Sequence, residues 1–248
     1  IRAQLLSETN NIPIDKLMGH SITLKLDVDL SDARYFNGIV TGFNQLSSQD
    51  GFNRYEAVVA PWLWLLNLSE NCRIFQNKTY LDILDEVFTE LGFVNFVIET
   101  SGDYAVQDFV VQYNETDFNF VSRIMEQEGI FYYFTHTEDS HTLVLKDSNS
   151  LLSHIGNISF YPPEHTATNI APNVVYSWES FQKAVTGGVR LTDFDFKVPT
   201  KSLESVTSDP STTSLSTLEK FTYPGKYSER DNGSLYTRLL MERENTLS

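Results

Sequence analysis

The chain is poor in several things whose absence narrows what it can be. Its 248 residues include one cysteine, Cys72, so no intrachain disulfide can form, and a thiolate metal site would need other ligand types. Such cysteine usage fits a reducing compartment. Basic side chains are scarce: 18 Lys and Arg stand against 33 Asp and Glu, a formal net charge of −15, and no Lys/Arg run occurs. A nucleic-acid backbone or an anionic membrane surface would repel such a chain, so neither is expected as a main partner. Long apolar runs are missing too. Pro61 to Leu66 is the longest, far below the roughly 20 residues a membrane span needs. The N-terminal residues show no basic region, apolar stretch or cleavage site, so no signal peptide is expected, and a start at Ile1 rather than Met suggests a fragment or processed chain.

Catalytic and metal motifs are equally sparse. There is no Gly-x-Ser-x-Gly elbow, phosphate loop or Gly-x-Gly-x-x-Gly. Asp27, Asp29 and Asp32 resemble the start of a calcium loop, but Asp32 stands where glycine is required and Gly38 where glutamate is required. His136 and His141 flank a turn and can approach each other. No third ligand stands at a useful spacing, so they read as turn-surface histidines rather than a metal site.

What is present is core-forming material: 41% hydrophobic and 13% aromatic residues, ample for more than one core. Residues 1–20 are polar and punctuated by Pro13 and Gly19. Ser21 to Val28, Tyr35 to Phe43 and Arg54 to Ala60 read as strands. Gly38, inside the second, marks a bulge or a close backbone approach. Short spacing with turn residues between predicts a small antiparallel barrel or sandwich. Thr79 to Leu91 predicts a helix, with Thr79 and Asp82 as a capping box, Leu84, Val87, Phe88 and Leu91 as the apolar stripe, and Gly92 as its stop. Asn95 to Glu99 and Val106 to Val111 read as extended segments.

The densest stretch is Gln112 to Phe134, QYNETDFNFVSRIMEQEGIFYYF. Phe118, Val121, Ile124 and Met125 recur at helical steps, and Phe120 widens their face. Asn114 or Thr116 can cap the first turn, Glu115 and Asp117 suit the positive helix end, and Gly129 sits where positive φ is needed. Ile130 to Phe134 then reads as a strand buried on both faces or covered by that helix, forming a hairpin with Thr142 to Lys146 across Thr137 to Ser140.

Beyond residue 148, Asn173 to Gln182 and Val189 to Lys197 read as strands, with Asp193 to Phe196 alternating. A second barrel is the simplest reading. Lys201 to Glu219, rich in Ser and Thr, reads as a flexible surface excursion, and Ser234 to Arg243 as a helix.

Gln112-Tyr113, Glu115-Thr116-Asp117, Ser122-Arg123 and Glu128-Gly129-Ile130 resemble the signature of the VgrG family, spike proteins of type VI secretion systems related to phage tail hubs. Further blocks resemble that family in the same order: Asn37 to Thr41, Pro61 to Leu66, Arg73 to Thr79, Leu191 to Phe196 and Tyr223 to Tyr227. The resemblance implies a phage tail hub-like fold, mainly β with α+β: a first barrel at 1–75, an inserted α+β domain at 76–147 and a second barrel at 148–248. It also implies a homotrimer that docks on the hexameric Hcp tube and contacts baseplate components and secreted effectors. On this reading the protein is cytoplasmic until assembled and then secreted by the apparatus, without cofactors. The resemblance assigns Gln112, Tyr113, Glu115, Asp117, Phe118, Val121, Arg123, Ile124, Met125, Glu128 and Gly129 to architecture.

An enzymatic reading would start from Glu126 and Glu128, with Glu115 and Asp117 nearby, because glycosidases use paired carboxylates. Residues two apart on a helix point about 200° from one another, so Glu126 and Glu128 do not converge on one substrate. They read instead as helix-end charges, with Arg123 spaced to pair with Glu126. A non-enzymatic spike hub is therefore expected. A phage-tail or bacteriocin hub and a carbohydrate-active or peptidoglycan-degrading protein stand as the alternatives.

Overall fold

The computed structural model describes residues 1–27, 33–48, 51–154, 156–161, 174–181, 183–209 and 217–246. The chain divides into two compact units, one made of Ile1–Glu126 with Ile130–Gly156, the other of Gln127–Gly129 with Asn157–Ser248. It is mainly β with a few helices.

The first unit opens with β1 (Arg2–Ser7), β2 (Ser21–Leu26), β3 (Arg34–Gln45) and β4 (Asn53–Ala60), an antiparallel sheet in the order β1-β4-β3-β2. Alternation drives its core: Val40, Phe43, Tyr55, Ala57 and Val59 are buried, with Phe43 and Tyr55 stacked at 5.3 Å. Gly38 is a close approach, since a Cβ there would stand 2.7 Å from Val59 Cγ1 and 2.9 Å from the Ala60 carbonyl oxygen. The register shift lies further on, between Val40 and Gly42. Strand β1 falls in the stretch expected to be merely polar; as an edge strand with every second residue exposed, it needs few apolar residues. Leu26, expected on the apolar face of β2, is exposed. With β1 and β2 as edges, the sheet is open among the described residues, half of the expected barrel.

A 3₁₀ segment, Trp62–Leu68, buries Trp62, Leu63 and Leu66 and leads into β5 (Glu70–Lys78) and α1 (Tyr80–Glu90). Thr79 and Asp82 form the capping box at the start of α1. Gly92 has φ +81 and the Phe93 amide reaches back to the Phe88 carbonyl, a Schellman ending. Ile83 belongs to the buried stripe, whereas Leu91 sits at the helix end with more than a third of its surface exposed. β6 (Phe96–Ile98) and β7 (Gln107–Thr116) follow, β7 pairing antiparallel with β5. Then come α2 (Asp117–Glu128), β8 (Phe131–His136) and β9 (His141–Lys146), with β6, β8 and β9 forming a sheet in the order β6-β9-β8. The hairpin has the expected register, Phe131 opposite Lys146 and His136 opposite His141. Its burial differs from the expectation: β8 is an edge with Tyr132 exposed, and the central strand β9 carries Leu143, Val144 and Leu145 into the core. One core binds the 3₁₀ segment, β5, α1, β7, α2 and β9 through Trp62, Phe75, Phe88, Val110, Phe120 and Leu145.

The second unit has a short parallel pair, β10 (Ser159–Phe160) with β11 (Val174–Val175), and a sheet of β12 (Gly188–Leu191), β13 (Ser205–Ser208) and β14 (Glu219–Thr222) in the order β13-β12-β14. Helix α3 (Arg230–Thr246) packs Tyr236 and Met241 with Val189, Leu191 and Leu203. Two expectations change here. Strand β12 ends at Leu191, and Asp193 and Asp195 accept hydrogen bonds from the amides of Phe194, Lys226 and Lys197, so the Asp-Phe alternation is turn chemistry rather than a strand. Within the supposed flexible excursion, Leu203 is buried and Ser205–Ser208 is the strand β13. Residues 210–216 of that stretch, like Asn173 and Gln182 at the ends of the strand expected there, lie outside the described residues.

Candidate functional site

The signature residues converge where β5, β7 and the start of α2 meet. Strand pairing sets Arg73 opposite Gln112, and the last residue of β7, Thr116, accepts a hydrogen bond from the Asn119 amide, so the strand supplies the helix cap. The Asp117 amide donates to the Ser69 carbonyl oxygen at 3.0 Å, tying the helix start to the residue before β5. This places the Asp117 carboxylate inside the protein, at 0% exposure.

Around it lies a polar network. Arg73 donates through Nε to Gln112 Oε1 at 2.8 Å, through Nη1 to Glu90 Oε2 at 2.7 Å and through Nη2 to Asp117 Oδ1 at 2.5 Å. Gln112, also fully buried, donates through Nε2 to Asp117 Oδ1 at 2.9 Å and to the Glu115 carbonyl oxygen at 3.1 Å. Asp117 Oδ2 has no hydrogen-bond partner. Burying these groups is tolerable because the charge pair and the amide satisfy one another almost completely.

A second arginine extends the arrangement. Arg123 Nε donates to both carboxylate oxygens of Glu115 at 3.0 Å, and its Nη2 donates to the Val111 carbonyl oxygen at 2.6 Å. Four side chains then stack in series. Arg73 lies 5.6 Å from the Phe75 ring centroid, Phe75 stacks on Phe120 at 5.5 Å, and Arg123 lies 5.0 Å from the Phe120 centroid.

Of the predicted residues, Gln112, Glu115, Asp117 and Arg123 join this network, while Val121, Ile124 and Met125 are buried beneath it. Phe118 is only half-buried, and the fully buried ring is that of Phe120. Tyr113 points outward, 72% exposed. Glu128 and Gly129 lie apart, in the last residues of α2 and the turn that follows, which group with the second unit. Gly129 has φ +70, and Glu128 accepts a hydrogen bond from the Tyr236 hydroxyl at 2.8 Å. Burial pushes the Glu128 carboxyl up, partly countered by that bond. The residues sequence reasoning undervalued are Arg73, Phe75 and Glu90, whose partners Glu90, Asp117, Phe120 and Arg73 lie 17 to 45 positions away.

Chemically, this is a brace. Asp117 has no solvent contact, and the Glu115 carboxylate is held by a guanidinium, so neither is placed to exchange a proton with a substrate. The histidines also depart from expectation, since His141 is buried rather than on the turn surface. Its Nε2 accepts from the Trp62 amide at 2.8 Å and its Nδ1 faces Asn37 Oδ1 at 2.7 Å.

Residues 1–248 match the family described as the phage tail baseplate hub (GPD). This chain belongs to that family. Among curated relatives of this hub chain, the type VI secretion system spike protein VgrG1b of Pseudomonas aeruginosa is 36% identical over 242 residues, covering 96% of the chain and 32% of the relative. The hub chain spans between 22% and 37% of the length of curated relatives it matches. Among solved structures, the Escherichia coli c3393 protein gives a TM-score of 0.59 at 26% identity over 66% of the hub chain and 45% of its own. That protein is described as a component of the type VI secretion system with structural similarity to the T4 tail proteins gp27 and gp5. A 43 kDa tail protein of prophage MuSo2 from Shewanella oneidensis shares the fold, with a TM-score of 0.60 at 11% identity, covering 96% of the hub chain and 68% of its own. The VgrG resemblance of the sequence blocks thus agrees with the relatives found. Among the described residues, no helix is long and apolar enough to cross a membrane.

Proposed function

We propose that this chain is the hub portion of a trimeric type VI secretion spike, a structural and non-enzymatic part. The observation that carries this reading is the 36% identity to a type VI spike protein across 96% of the chain. Three copies, each contributing two small antiparallel barrels at 1–75 and 148–248 flanking an α+β domain at 76–147, form a pseudo-sixfold ring. That ring matches the hexameric Hcp tube on which it docks. It helps the spike puncture target membranes and deliver effectors, leaving with the apparatus. The open sheet β1-β4-β3-β2 supports a barrel that closes in the assembly, where exposed strand edges find partners. The arginine-braced junction of β5, β7 and α2 is the stiffening that a part loaded by contraction needs.

Sedimentation velocity together with negative-stain electron microscopy tests the assembly. A species three times the mass of one chain, with a six-lobed ring, is the expected result. A monomer at every concentration would count against trimer formation by the hub.

A further inference from the structure

Within the first unit, the four-stranded sheet and the β8–β9 hairpin are joined by a small set of polar contacts centred on two histidines. The Trp62 amide can only donate, so His141 Nε2, 2.8 Å away, must carry a lone pair. In a neutral ring the proton then sits on Nδ1, facing Asn37 Oδ1 at 2.7 Å. Asn37 is held in that orientation by donating through Nδ2 to the hydroxyls of Ser21 and Thr23 at 3.1 and 2.8 Å. The Asn37 backbone amide, again an obligate donor, points at His136 Nδ1 at 3.2 Å. Both histidines therefore use one ring nitrogen as acceptor from a backbone N–H. The two rings lie 6.0 Å apart.

We propose that His136 and His141 form a proton-sensitive latch that holds the hairpin to the four-stranded sheet when neutral and releases it when protonated. Protonation puts N–H against N–H at the Trp62 contact, and an added proton on His136 can only occupy Nδ1, against the Asn37 amide. It also places two like charges about 6 Å apart. A cavity of about 300 Å³, lined in part by Asn37, Trp62, Phe93, Asp139 and His141, gives the proton a route to the ring.

The charged groups around the latch come from few elements. The hairpin contributes His136, Glu138 and Asp139; β2 and β3 contribute Lys25 and Arg34, the latter over the Phe36 ring that leans on His136. Trp62, Phe93 and Asn95 bring none. Burial, with a smaller contribution from His136, holds the His141 ring below the usual histidine range. The folded state thus binds fewer protons than the open state. The latch contributes its full stability above about pH 6.5, the ordinary histidine value, and loses it as the pH falls toward the lowered folded value.

Amide hydrogen exchange on the 248-residue chain, read by NMR at pH 7.5 and 5.0 as protection factors, tests this directly. Dividing by intrinsic rates removes the pH dependence of the exchange chemistry itself. Protection at Trp62 and Asn37 is expected to fall about tenfold or more, as an opened histidine near its ordinary pKa takes up a proton. Val87 in α1 keeps its protection. Histidine nitrogen shifts at pH 7.5 are expected to show His141 protonated on Nδ1 alone. Unchanged protection at Trp62 and Asn37, an equal fall at Val87, or an Nε2-protonated His141 at pH 7.5 would each overturn the latch.

Discussion

Arg73 of β5 and Asp117 of α2, 44 positions apart, form a buried ion pair, with the guanidinium 2.5 Å from a carboxylate that has no solvent exposure. The pair fixes where the helix begins, because the same aspartate also accepts from Gln112 and anchors its own amide to Ser69. Asp117→Ala is expected to destabilise the chain by about 3 kcal/mol in urea denaturation, since it strands the charge of an arginine whose side chain is only 17% exposed. Asp117→Asn keeps an acceptor at Oδ1, and Oδ2 has no partner to lose, so its cost should be clearly smaller.

Phe120, not Phe118, carries the helix into the core. Phe120→Ala removes a fully buried ring that stacks on Phe75 and lies under Arg123, and should cost about 3–5 kcal/mol. Phe118→Ala should cost less than half as much. Equal losses in paired denaturation curves would mean that the helix face is wrongly placed.

Acid should weaken the cap of α1. Hydrogen bonds from the Thr79 hydroxyl and then its amide hold the Asp82 carboxyl below the usual range. Its contribution is present above the ordinary aspartate value and is lost as the pH falls through the lowered folded value. Thr79→Ala should cost about 1 kcal/mol at neutral pH, and the gap between variant and parent should shrink in acid. Melting temperatures across a pH series would read both effects.

Glycine substitutions separate two reasons for having no side chain. Gly38→Ala drives a Cβ to 2.9 Å from the Ala60 carbonyl oxygen, which has no flexible end to move, so a cost of about 1–3 kcal/mol is expected. Gly92→Ala meets nothing within 4 Å and should lose only about 1 kcal/mol, from the positive φ alone.

Much of this was legible locally. The capping box at Thr79, the positive φ at Gly92 and Gly129, the hairpin across Thr137 to Ser140 and the helix over Ser234 to Arg243 rest on chemistry within a few residues of chain. What escaped rests on distant partners. Asp117 has the residue type and position of a helix-dipole carboxylate, and only Arg73 and Gln112 together make it a buried anchor. Ser205–Ser208 looks like a linker until β12 lies beside it. Asp193 to Phe196 alternates as a strand would, yet its carboxylates cap turns. The interior position of β9 over β8 depends on β6 pairing in parallel with it from more than forty residues away.

The proposed seating of this hub on a hexameric tube is open to a direct test. Native mass spectrometry of the chain mixed with purified Hcp rings tests it most directly. Complexes of three hub chains on one six-membered ring are expected. A chain that stays monomeric and leaves the Hcp ring unoccupied at saturating concentration would contradict it.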